Sequence, residues 1–275
     1  MDRYAVIGNP VEHSLSPVIH QLFATQTGER LIYEKLASPV DEFVKTVEGF
    51  FAAGGLGLNV TVPFKEQAAG WVDDLRGDAR VAGVVNTIAR VDSGYCGFNT
   101  DGVGLVRDLT GNLGLHLAGQ RVLLLGAGGA ARGVVRPLLA QGLRQLSIAN
   151  RNADRAVAMV ANLVEEYPHV ELHALALDQA RGEFDVVINA TSAGLNGLGA
   201  LVDASAVRES SCYDLVYGGV AGTTAFCDWA RAAGARFVAD GLGMLVEQAA
   251  EAFHIWRGVR PDTRPVLAQL REPLQ

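Results

Sequence analysis

The sequence predicts an α/β protein with two domains, an N-terminal α/β domain followed by a doubly wound parallel sheet of the Rossmann type. Short apolar strands alternate with helical patterns over most of the 275 residues, which is typical of α/β proteins with parallel sheets. A glycine-rich turn follows one of these strands and opens a helix, but it begins only at Gly126. A nucleotide-binding unit that begins this late implies that another domain, expected to bind the substrate, comes first.

In the first half of the chain, short runs of β-branched and aromatic residues are bounded by turn residues. Pro17 stands where an early helical proline is tolerated, and apolar residues after Asp41 recur at helical spacing until Gly54. Asp92-Ser93-Gly94 is typical of a hairpin turn, and Thr100 is placed to cap a helix. We predict strands over Tyr4–Ile7, Leu31–Lys35, Gly57–Val62, Asn86–Val91 and Tyr95–Phe98, and helices over Ser16–Gln26, from Asp41 to Gly54, from Pro63, and from Thr100 to Leu113.

The second half repeats strand and helix more regularly. Helical patterns run from the glycine turn to Gln141, over Asp154–Tyr167 and over Met244–Trp256, with a tail after Pro261. Because no flexible linker interrupts the chain, we expect the domain junction near 101–110 to be helical. The predicted strands are Arg121–Leu125, Gln145–Asn150, Val170–Ala174, Phe184–Asn189, Cys212–Val216 and Arg236–Ala239.

Composition narrows the class of partner. The apolar fraction is 49% and the net charge is −7, with no lysine- or arginine-rich block, so we expect neither a nucleic acid nor a membrane partner. The N-terminus enters a strand without a signal peptide, and the three cysteines are widely spaced, which favours the reducing cytoplasm. Neither the cysteines nor the six histidines have a metal-binding spacing, so no metal is expected. A monomer and a homodimer are both compatible with the sequence.

The glycine turn reads Gly126-Ala127-Gly128-Gly129-Ala130-Ala131, which fits the dinucleotide fingerprint G-x-G-x-x-[GA]. Gly126 permits the tight turn, Gly128 lets the backbone approach a pyrophosphate, and small Ala131 allows close packing of helix on strand. The helix N-terminus offers free N–H groups and a partial positive charge to the phosphates. We therefore expect Gly126, Ala127, Gly128, Gly129 and Ala130 to bind the cofactor.

The end of the next strand indicates which dinucleotide binds. An NAD-binding unit carries an acidic residue about 20 positions past the fingerprint, where it accepts hydrogen bonds from the ribose 2′-hydroxyl. Here the strand ends in Asn150-Arg151, with Arg155 one helical turn later. Arginine pairs with a 2′-phosphate through charge-assisted hydrogen bonds, whereas a carboxylate repels it. We predict NADP(H), the alternative being that both arginines are merely solvated residues opening a helix.

Polar motifs precede the glycine turn. Ser14 and Ser16 lie in a turn before a helix, where two hydroxyls beside an N-terminus suit a small anionic or polyhydroxylated ligand. The simpler reading is that they are turn and N-cap residues. Three further motifs, Asn59-Val60-Thr61-Val62-Pro63-Phe64-Lys65, Val85-Asn86-Thr87 and Gly97-Phe98-Asn99-Thr100-Asp101-Gly102, place polar groups where strands meet turns or helices.

With these motifs the chain resembles the shikimate dehydrogenases over essentially its full length. The resemblance implies reversible, NADP-linked interconversion of 3-dehydroshikimate and shikimate in aromatic amino-acid biosynthesis. It implies a substrate domain over 1–104, an NADP-binding Rossmann domain over 105–240 and C-terminal helices over 241–275 that return to the first domain. The matching motifs, in the family's order, are GNPVEHSLSP, NVTVPFK, Asn86-Thr87, GFNTDG, GAGGAAR, Asn150-Arg151, NATSAG and DGLGMLVEQ.

By this resemblance Lys65 and Asp101 are the catalytic pair, and the chemistry agrees. Reduction of a ring ketone needs a hydride at carbon, which the cofactor supplies, and a proton at oxygen, which the protein must supply. A cationic Lys65 beside the ketone oxygen stabilises developing alkoxide charge and donates or relays the proton. Asp101 would hold the lysine or the reacting hydroxyl. The simpler readings are a surface lysine and a carboxylate near a helix start.

The resemblance also implies the remaining site residues. The serines would bind the substrate carboxylate, and Asn86, Asp101 and Gln248 its ring hydroxyls. The residues implied to bind the substrate are Ser14, Ser16, Asn59, Thr61, Asn86, Tyr217 and Gln248. The residues implied to lie along the nicotinamide and its ribose are Thr191, Ser192, Leu215, Gly241 and Met244.

Two departures from the family's pattern leave questions open. The family often has Asn-Arg-Thr where this chain has Asn150-Arg151-Asn152, so the strength of the NADP preference is open. Gly218-Gly219-Val220 replaces a frequent Asn-Pro after Tyr217, so the shape of that loop is open. Two alternative functions follow: a quinate/shikimate dehydrogenase with relaxed cofactor use, and a non-catalytic NADPH-binding regulatory protein. The presence of both Lys65 and Asp101 argues against the second.

Overall fold

The computed structural model describes residues 1–191, 199–218 and 223–272. Their contacts divide the chain into two compact units. The first unit comprises residues 1–104 and 245–272, and the second comprises the described residues of 105–244. The division falls within two helices, Asp101–Arg107 and Leu242–Arg257, so no loop separates the units along the chain.

The first unit alternates strands and helices up to a hairpin and is completed by C-terminal helices. Its strands are β1 (Asp2–Gly8), β2 (Leu31–Ala37), β3 (Gly55–Val60), β4 (Asp74–Leu75), β5 (Thr87–Val91) and β6 (Gly94–Phe98). Its helices are α1 (Ser16–Thr27), α2 (Phe43–Ala52), α3 (Lys65–Trp71), α4 (Asp78–Ala82), the start of α5 (Asp101–Arg107), most of α9 (Leu242–Arg257) and α10 (Thr263–Arg271).

The sheet of the first unit has the order β2-β1-β3-β5-β6-β4. β1 pairs with β2 and β3 in parallel, whereas β5 pairs with β3 and β6 antiparallel, so this sheet is mixed rather than parallel. Alternate residues of a strand point to opposite faces of the sheet, and in β1 both sets are apolar. Tyr4 and Val6 pack with α1 and α9 on one face, and Ala5 and Ile7 pack with α2 on the other.

The second unit is built almost entirely of strand–helix repeats. Its strands are β7 (Arg121–Leu125), β8 (Gln145–Asn150), β9 (Glu171–Ala176), β10 (Val186–Asn189), β11 (Ser211–Asp214) and β12 (Phe237–Ala239). Its helices are α6 (Gly129–Leu139), α7 (Ala153–Ala161) and α8 (Ala225–Ala232), and a π-helical turn over Asp108–Asn112 follows α5.

The sheet of the second unit has the order β12-β11-β10-β7-β8-β9, with all neighbours parallel. The chain starts in the middle and winds outward in both directions, which is the doubly wound order. Val122 and Leu124 enter one buried cluster and Leu123 and Leu125 the other. The sequence prediction of an N-terminal α/β part and a Rossmann-type sheet is therefore confirmed.

The differences from the predicted elements lie mainly outside the sheets. β4, α4 and α8 were not predicted, and α10 occupies the expected tail after Pro261. Signals for α8 and α10 were present, since Thr224 and Asp262 cap these helices with their side chains. The helix predicted over Asp154–Tyr167 ends at Ala161.

Thr100 directly precedes α5, as predicted for its cap, and its carbonyl accepts the N–H of Gly104 at 3.0 Å. The side-chain oxygen of Asn99 accepts the N–H of Asp101 at 3.0 Å. The Thr100 hydroxyl bonds to Asn86 and Gln248, so it is engaged elsewhere. Among the described residues, no helix combines the length and apolarity that a membrane crossing demands.

Candidate active site

Lys65 and Asp101 each begin a helix of the first unit, and their side chains form an ion pair. Both are largely shielded, with side-chain exposures of 15% and 7%. The backbone of Lys65 is anchored as well, because its carbonyl accepts the N–H of Val85 at 2.9 Å. A shielded ammonium held by a carboxylate differs from the surface lysine of the simpler reading.

The Asn86 side chain connects this pair to Thr100 and to Gln248 of α9. Its amide nitrogen donates to Asp101 Oδ1 at 2.8 Å, to Thr100 Oγ1 at 2.9 Å and to Gln248 Oε1 at 3.3 Å. Its amide oxygen accepts the N–H of Thr100 at 2.8 Å. The predicted residues Lys65, Asn86, Asp101 and Gln248 therefore lie in one connected, buried polar cluster, which also contains Thr100.

Asn59, at the end of β3, is engaged on both sides of its amide. Tyr33 donates its hydroxyl to Asn59 Oδ1 at 2.7 Å, while Asn59 Nδ2 donates to Thr87 Oγ1 at 3.0 Å and to the Asn86 carbonyl at 3.2 Å. His20 stacks on the Tyr33 ring with centroids 4.2 Å apart. Burial lowers the pKa of His20 to about 3, so this imidazole is neutral. Asn59 thus holds β3 to the Asn86–Thr87 segment, and a direct substrate contact stays a prediction.

The two serines meet in the turn before α1. Ser14 donates its hydroxyl to Ser16 Oγ at 3.1 Å, and the N–H of Ser16 donates to Ser14 Oγ at 3.2 Å. Thr61 is half-buried after β3, and its methyl group would lie 2.4 Å from a Cβ added at Gly8. Tyr217 differs from these residues because it belongs to the second unit, where it is half-buried.

The glycine turn of the second unit has the shape that a pyrophosphate site requires. Gly126 has φ +108°, and a Cβ there would lie 3.1 Å from the Ala190 carbonyl oxygen. Gly128 is exposed, and beyond its chain neighbours a Cβ at this position would meet no atom of the described residues within 4 Å. Helix α6 begins at Gly129, so its free N–H groups face this open space. The turn, which includes Ala127 and Ala130, fits a bound dinucleotide phosphate.

The end of β8 carries amide and cationic side chains. Asn150 Nδ2 donates to the Asn152 carbonyl at 2.8 Å, and the Asn152 side chain caps α7. Arg151 and Arg155 are both exposed. Their charges are therefore available to an anion, as a 2′-phosphate requires.

Asn189 and Asp214 order the ends of β10 and β11. Asn189 Nδ2 donates to Asp214 Oδ1 at 3.0 Å, and Asn189 Oδ1 accepts the N–H of Thr191 at 3.0 Å and its hydroxyl at 2.7 Å. Asp214 also accepts the hydroxyl of Thr224 at 2.6 Å. Burial raises the pKa of Asp214 to about 6 although these donors lower it. Ser192, predicted beside Thr191, lies outside the described residues.

Three other predicted cofactor residues lie close together in the second unit. The N–H of Leu215 donates to the Asn189 carbonyl at 2.9 Å. A Cβ at Gly241 would lie 2.3 Å from the Leu215 carbonyl oxygen, so the two backbones touch. The N–H of Met244 donates to the Tyr213 hydroxyl at 3.3 Å.

Sequence reasoning missed several residues that hold these groups in place. Thr87, Thr100 and Tyr33 bond to predicted site residues in the first unit, and Asp214 does so in the second. Asp214 had a signal, since a carboxylate at the carboxyl end of a parallel strand stands where α/β proteins bind ligands. Tyr33 had none, because it reads as an ordinary apolar strand residue.

The two units therefore offer complementary chemistry. The first presents a shielded ammonium–carboxylate pair among hydrogen-bonding amides and hydroxyls, which suits proton transfer to a polar, oxygen-rich molecule. The second presents a glycine turn, open at Gly128, at the start of a helix, together with two exposed arginines, and these features suit a phosphorylated dinucleotide.

Family comparisons cover most of the chain in three matches. Residues 6–88 match the family described as shikimate dehydrogenase substrate binding domain, and residues 108–210 match shikimate / quinate 5-dehydrogenase. Residues 241–271 match the shikimate 5′-dehydrogenase C-terminal domain.

Individual relatives agree with these matches. The chain is 53% identical over 271 residues to a shikimate dehydrogenase (NADP(+)) of Alkalilimnicola ehrlichii, which covers 98% of each protein. Among solved structures, it is similar to an Ael1 enzyme from Pseudomonas putida, with 44% identity, a TM-score of 0.89 and full coverage of both chains. It is also similar to shikimate 5-dehydrogenase from Thermus thermophilus in complex with NADP(H) and shikimate, with 34% identity, a TM-score of 0.84 and full coverage of both chains.

Proposed function

The chain belongs to the shikimate dehydrogenase family, and from this premise we propose that it is an NADP-dependent oxidoreductase that interconverts 3-dehydroshikimate and shikimate. This reaction belongs to the biosynthesis of aromatic amino acids and of their precursor chorismate. The observation that carries the proposal at the site is the shielded Lys65–Asp101 pair, joined through Asn86 to Gln248. A non-catalytic binder of NADPH has no need for such a pair.

Lys65 supplies the proton in the direction of ketone reduction. Bound NADPH supplies the hydride to the ring carbonyl carbon. The Lys65 ammonium hydrogen-bonds to the carbonyl oxygen, stabilises the negative charge that develops there and transfers a proton to it, so that ketone, hydride and proton yield the alcohol. In oxidation the neutral lysine accepts the hydroxyl proton.

Asp101 and Asn86 hold Lys65 and the substrate in place. One carboxylate oxygen of Asp101 pairs with Lys65 and the other accepts from Asn86 Nδ2 at 2.8 Å, so the carboxylate is fixed on both sides. A fixed carboxylate leaves the lysine few alternative positions, which favours reaction. Asn86, Asp101 and Gln248 bind ring hydroxyls, and Ser14 and Ser16 bind the substrate carboxylate, with Asn59, Thr61 and Tyr217 completing the pocket.

The second unit holds the cofactor through its backbone and its arginines. The open backbone at Gly128 and the N-terminus of α6 bind the pyrophosphate. Asn150, Arg151 and Arg155 bind the 2′-phosphate, since no carboxylate stands at the end of β8 to repel it. The nicotinamide half of the cofactor is lined by Thr191, Ser192, Leu215, Gly241 and Met244. In this proposal the first unit binds the substrate and the second binds the cofactor.

We expect the protein to act in the cytoplasm as a monomer or a homodimer. Cys96, Cys212 and Cys227 are buried free thiols, as is usual in a reducing compartment. Burial raises the pKa of Cys212 to about 11, so this thiol does not react as a thiolate near neutral pH. Light scattering of the purified protein measures its oligomeric state.

A matrix of substrates and cofactors tests the function. Shikimate and quinate are each offered with NADP and with NAD, and the reduced nicotinamide is followed by its absorbance. We expect the highest kcat/KM for shikimate with NADP. Faster oxidation of quinate with NAD would replace the proposal with a quinate dehydrogenase, and NADP binding without turnover of either substrate would indicate a regulatory protein.

A further inference from the structure

The second unit contains a fully buried carboxylate for which the proposed reaction has no use. Asp108 is 0% exposed and begins the π-helical turn Asp108–Asn112. The N–H of Leu113 donates to the Asp108 carbonyl at 2.9 Å, five residues back, and Asn112 Nδ2 donates to Asp108 Oδ1 at 3.0 Å. Such π-turns interrupt α-helices rarely and occur often at functional positions.

Tyr213 connects this carboxylate to the start of α9. Its buried hydroxyl donates to Asp108 Oδ2 at 2.6 Å and accepts the N–H of Met244 at 3.3 Å. Burial and the neighbouring carboxylate raise the pKa of Tyr213 well above its usual value, so the phenol stays protonated and remains a donor. The Met244 backbone is thus tied through one tyrosine to one buried aspartate.

Close packing at Gly243 is a second observation that places Asp108 against the start of α9. A Cβ at Gly243 would lie 2.0 Å and 2.4 Å from the two carboxylate oxygens of Asp108. Gly241 packs closely on the backbone of Leu215, because a Cβ at Gly241 would lie 2.3 Å from the Leu215 carbonyl oxygen. The segment 241–244 is therefore located by two close approaches as well as by the hydrogen bond.

We propose that Asp108, acting through Tyr213, is a positioning residue that fixes the Gly241–Met244 segment for the nicotinamide end of NADP. The inference depends on the proposed function in one respect, the placement of Gly241 and Met244 beside the nicotinamide. It goes beyond that function in assigning a role to two buried residues, Asp108 and Tyr213, to which the proposed function gives none. The adenosine end of NADP is bound by Arg151 and Arg155 and does not depend on this pair.

Equilibrium binding separates the two ends of the cofactor. NADP and adenosine 2′,5′-bisphosphate, which lacks the nicotinamide half, are titrated against wild type and against Tyr213→Phe, Asp108→Asn and Gly243→Ala. We expect the Kd of NADP to rise roughly three- to tenfold in Tyr213→Phe, the effect of one lost hydrogen bond. The Kd of the bisphosphate should change less than twofold. Asp108→Asn should lie between wild type and Tyr213→Phe, because an amide oxygen still accepts the phenol proton.

Matched control variants measure the effect of mutation alone. Tyr95→Phe changes a half-buried tyrosine of the first unit that packs on Phe51 and Trp71, and Gly49→Ala adds a methyl where no described atom lies within 4 Å. Both should bind the two ligands as wild type does. Far-UV circular dichroism establishes that each variant is folded, and Gly243→Ala gives a second route if Tyr213→Phe is unfolded.

Two results would overturn the inference. Equal weakening of NADP and of the bisphosphate would mean that the pair supports the whole nucleotide unit, and unchanged Kd values with a lowered Tm would mean that it only stabilises the fold. Turnover is not needed for this comparison. A wild-type protein that binds NADP but does not oxidise shikimate would therefore refute the proposed function while leaving this inference testable.

Discussion

At the residue scale, we propose that cofactor selectivity depends on two exposed arginines that follow β8. Arg151 and Arg155 follow β8 at the position where an NAD-binding unit places a carboxylate. A guanidinium pairs with a phosphate through short, charge-assisted hydrogen bonds, so the 2′-phosphate itself becomes the basis of discrimination.

Arg151→Ala should weaken NADPH binding far more than NADH binding. Loss of a hydrogen bond to a charged group corresponds to an affinity decrease of roughly 10- to 150-fold for NADPH, while NADH should change little. Arg144→Ala is the matched control, since exposed Arg144 directly precedes the opposite end of β8. Kd values from fluorescence titration provide the measurement. Equal losses for both cofactors would show that Arg151 does not contact the 2′-phosphate.

Asp214 should make stability depend on pH in an unusual direction. Its pKa is raised from 3.8 to about 6 by burial, so between these values the folded state binds a proton that the unfolded state releases. The contribution of this group to the free energy of unfolding therefore falls as the pH rises from 4 to 6, by about 2 kcal/mol. The free energy of unfolding is measured by urea denaturation across this pH range for wild type and for Asp214→Asn. The difference between the two values should fall as the pH rises.

Asp185→Asn is the control for this slope. Its carboxylate is bonded to Arg121 at 3.1 Å, which lowers its pKa, so its stabilising effect is present above the usual carboxyl pKa and is lost as the pH falls. The two difference curves should have opposite signs. A flat curve for Asp214→Asn would mean that Asp214 ionises as an ordinary carboxyl group.

At the element scale, the C-terminal helix α9 is held on the first unit by aromatic packing on a glycine. The Trp256 indole donates to the Ile88 carbonyl at 3.0 Å and stacks on Tyr4 with centroids 4.7 Å apart. A Cβ at Gly57 would lie 2.4 Å from the indole nitrogen. The same helix carries Gln248, so the packing of α9 on the sheet also positions a predicted substrate residue.

Gly57→Ala should lower stability, whereas Gly49→Ala should raise it. Overpacking against the half-buried indole costs about 1–3 kcal/mol. Gly49 is an exposed position of helix α2 with open space around it, where alanine is favoured over glycine by about 0.5–1 kcal/mol. Urea denaturation measures both changes. Similar values for the two variants would contradict the claim that Gly57 makes room for Trp256.

At the scale of the whole molecule, the sequence was most informative where chemistry is local. The strand–turn–helix at 121–141 and the Asn150-Arg151 strand end were readable because their residues are neighbours in the chain. The sequence therefore predicted which arginines and glycines belong to the candidate cofactor site. The short helix α8 and the strand β4 were missed because eight and two residues carry little periodicity.

Contacts between distant residues could not be read from local patterns. Asn86 meets Gln248 across 162 residues of chain, and Tyr213 meets Asp108 across 105. The family resemblance pointed to Asn86 and Gln248, but nothing in the sequence pointed to Asp108 or Tyr213. Such pairs form only when the fold brings remote segments of the chain together.

The central claim is that Lys65 handles the proton of the reaction while the second unit holds the cofactor. Its most direct test is the kcat for shikimate oxidation by NADP, measured with the Kd of NADP, for wild type, Lys65→Ala and the control Lys45→Ala. Lys45 is an exposed residue of α2. We expect Lys65→Ala to lose roughly 10²- to 10⁴-fold in kcat with NADP binding nearly intact, and Lys45→Ala to match wild type. Full activity in Lys65→Ala would contradict the account.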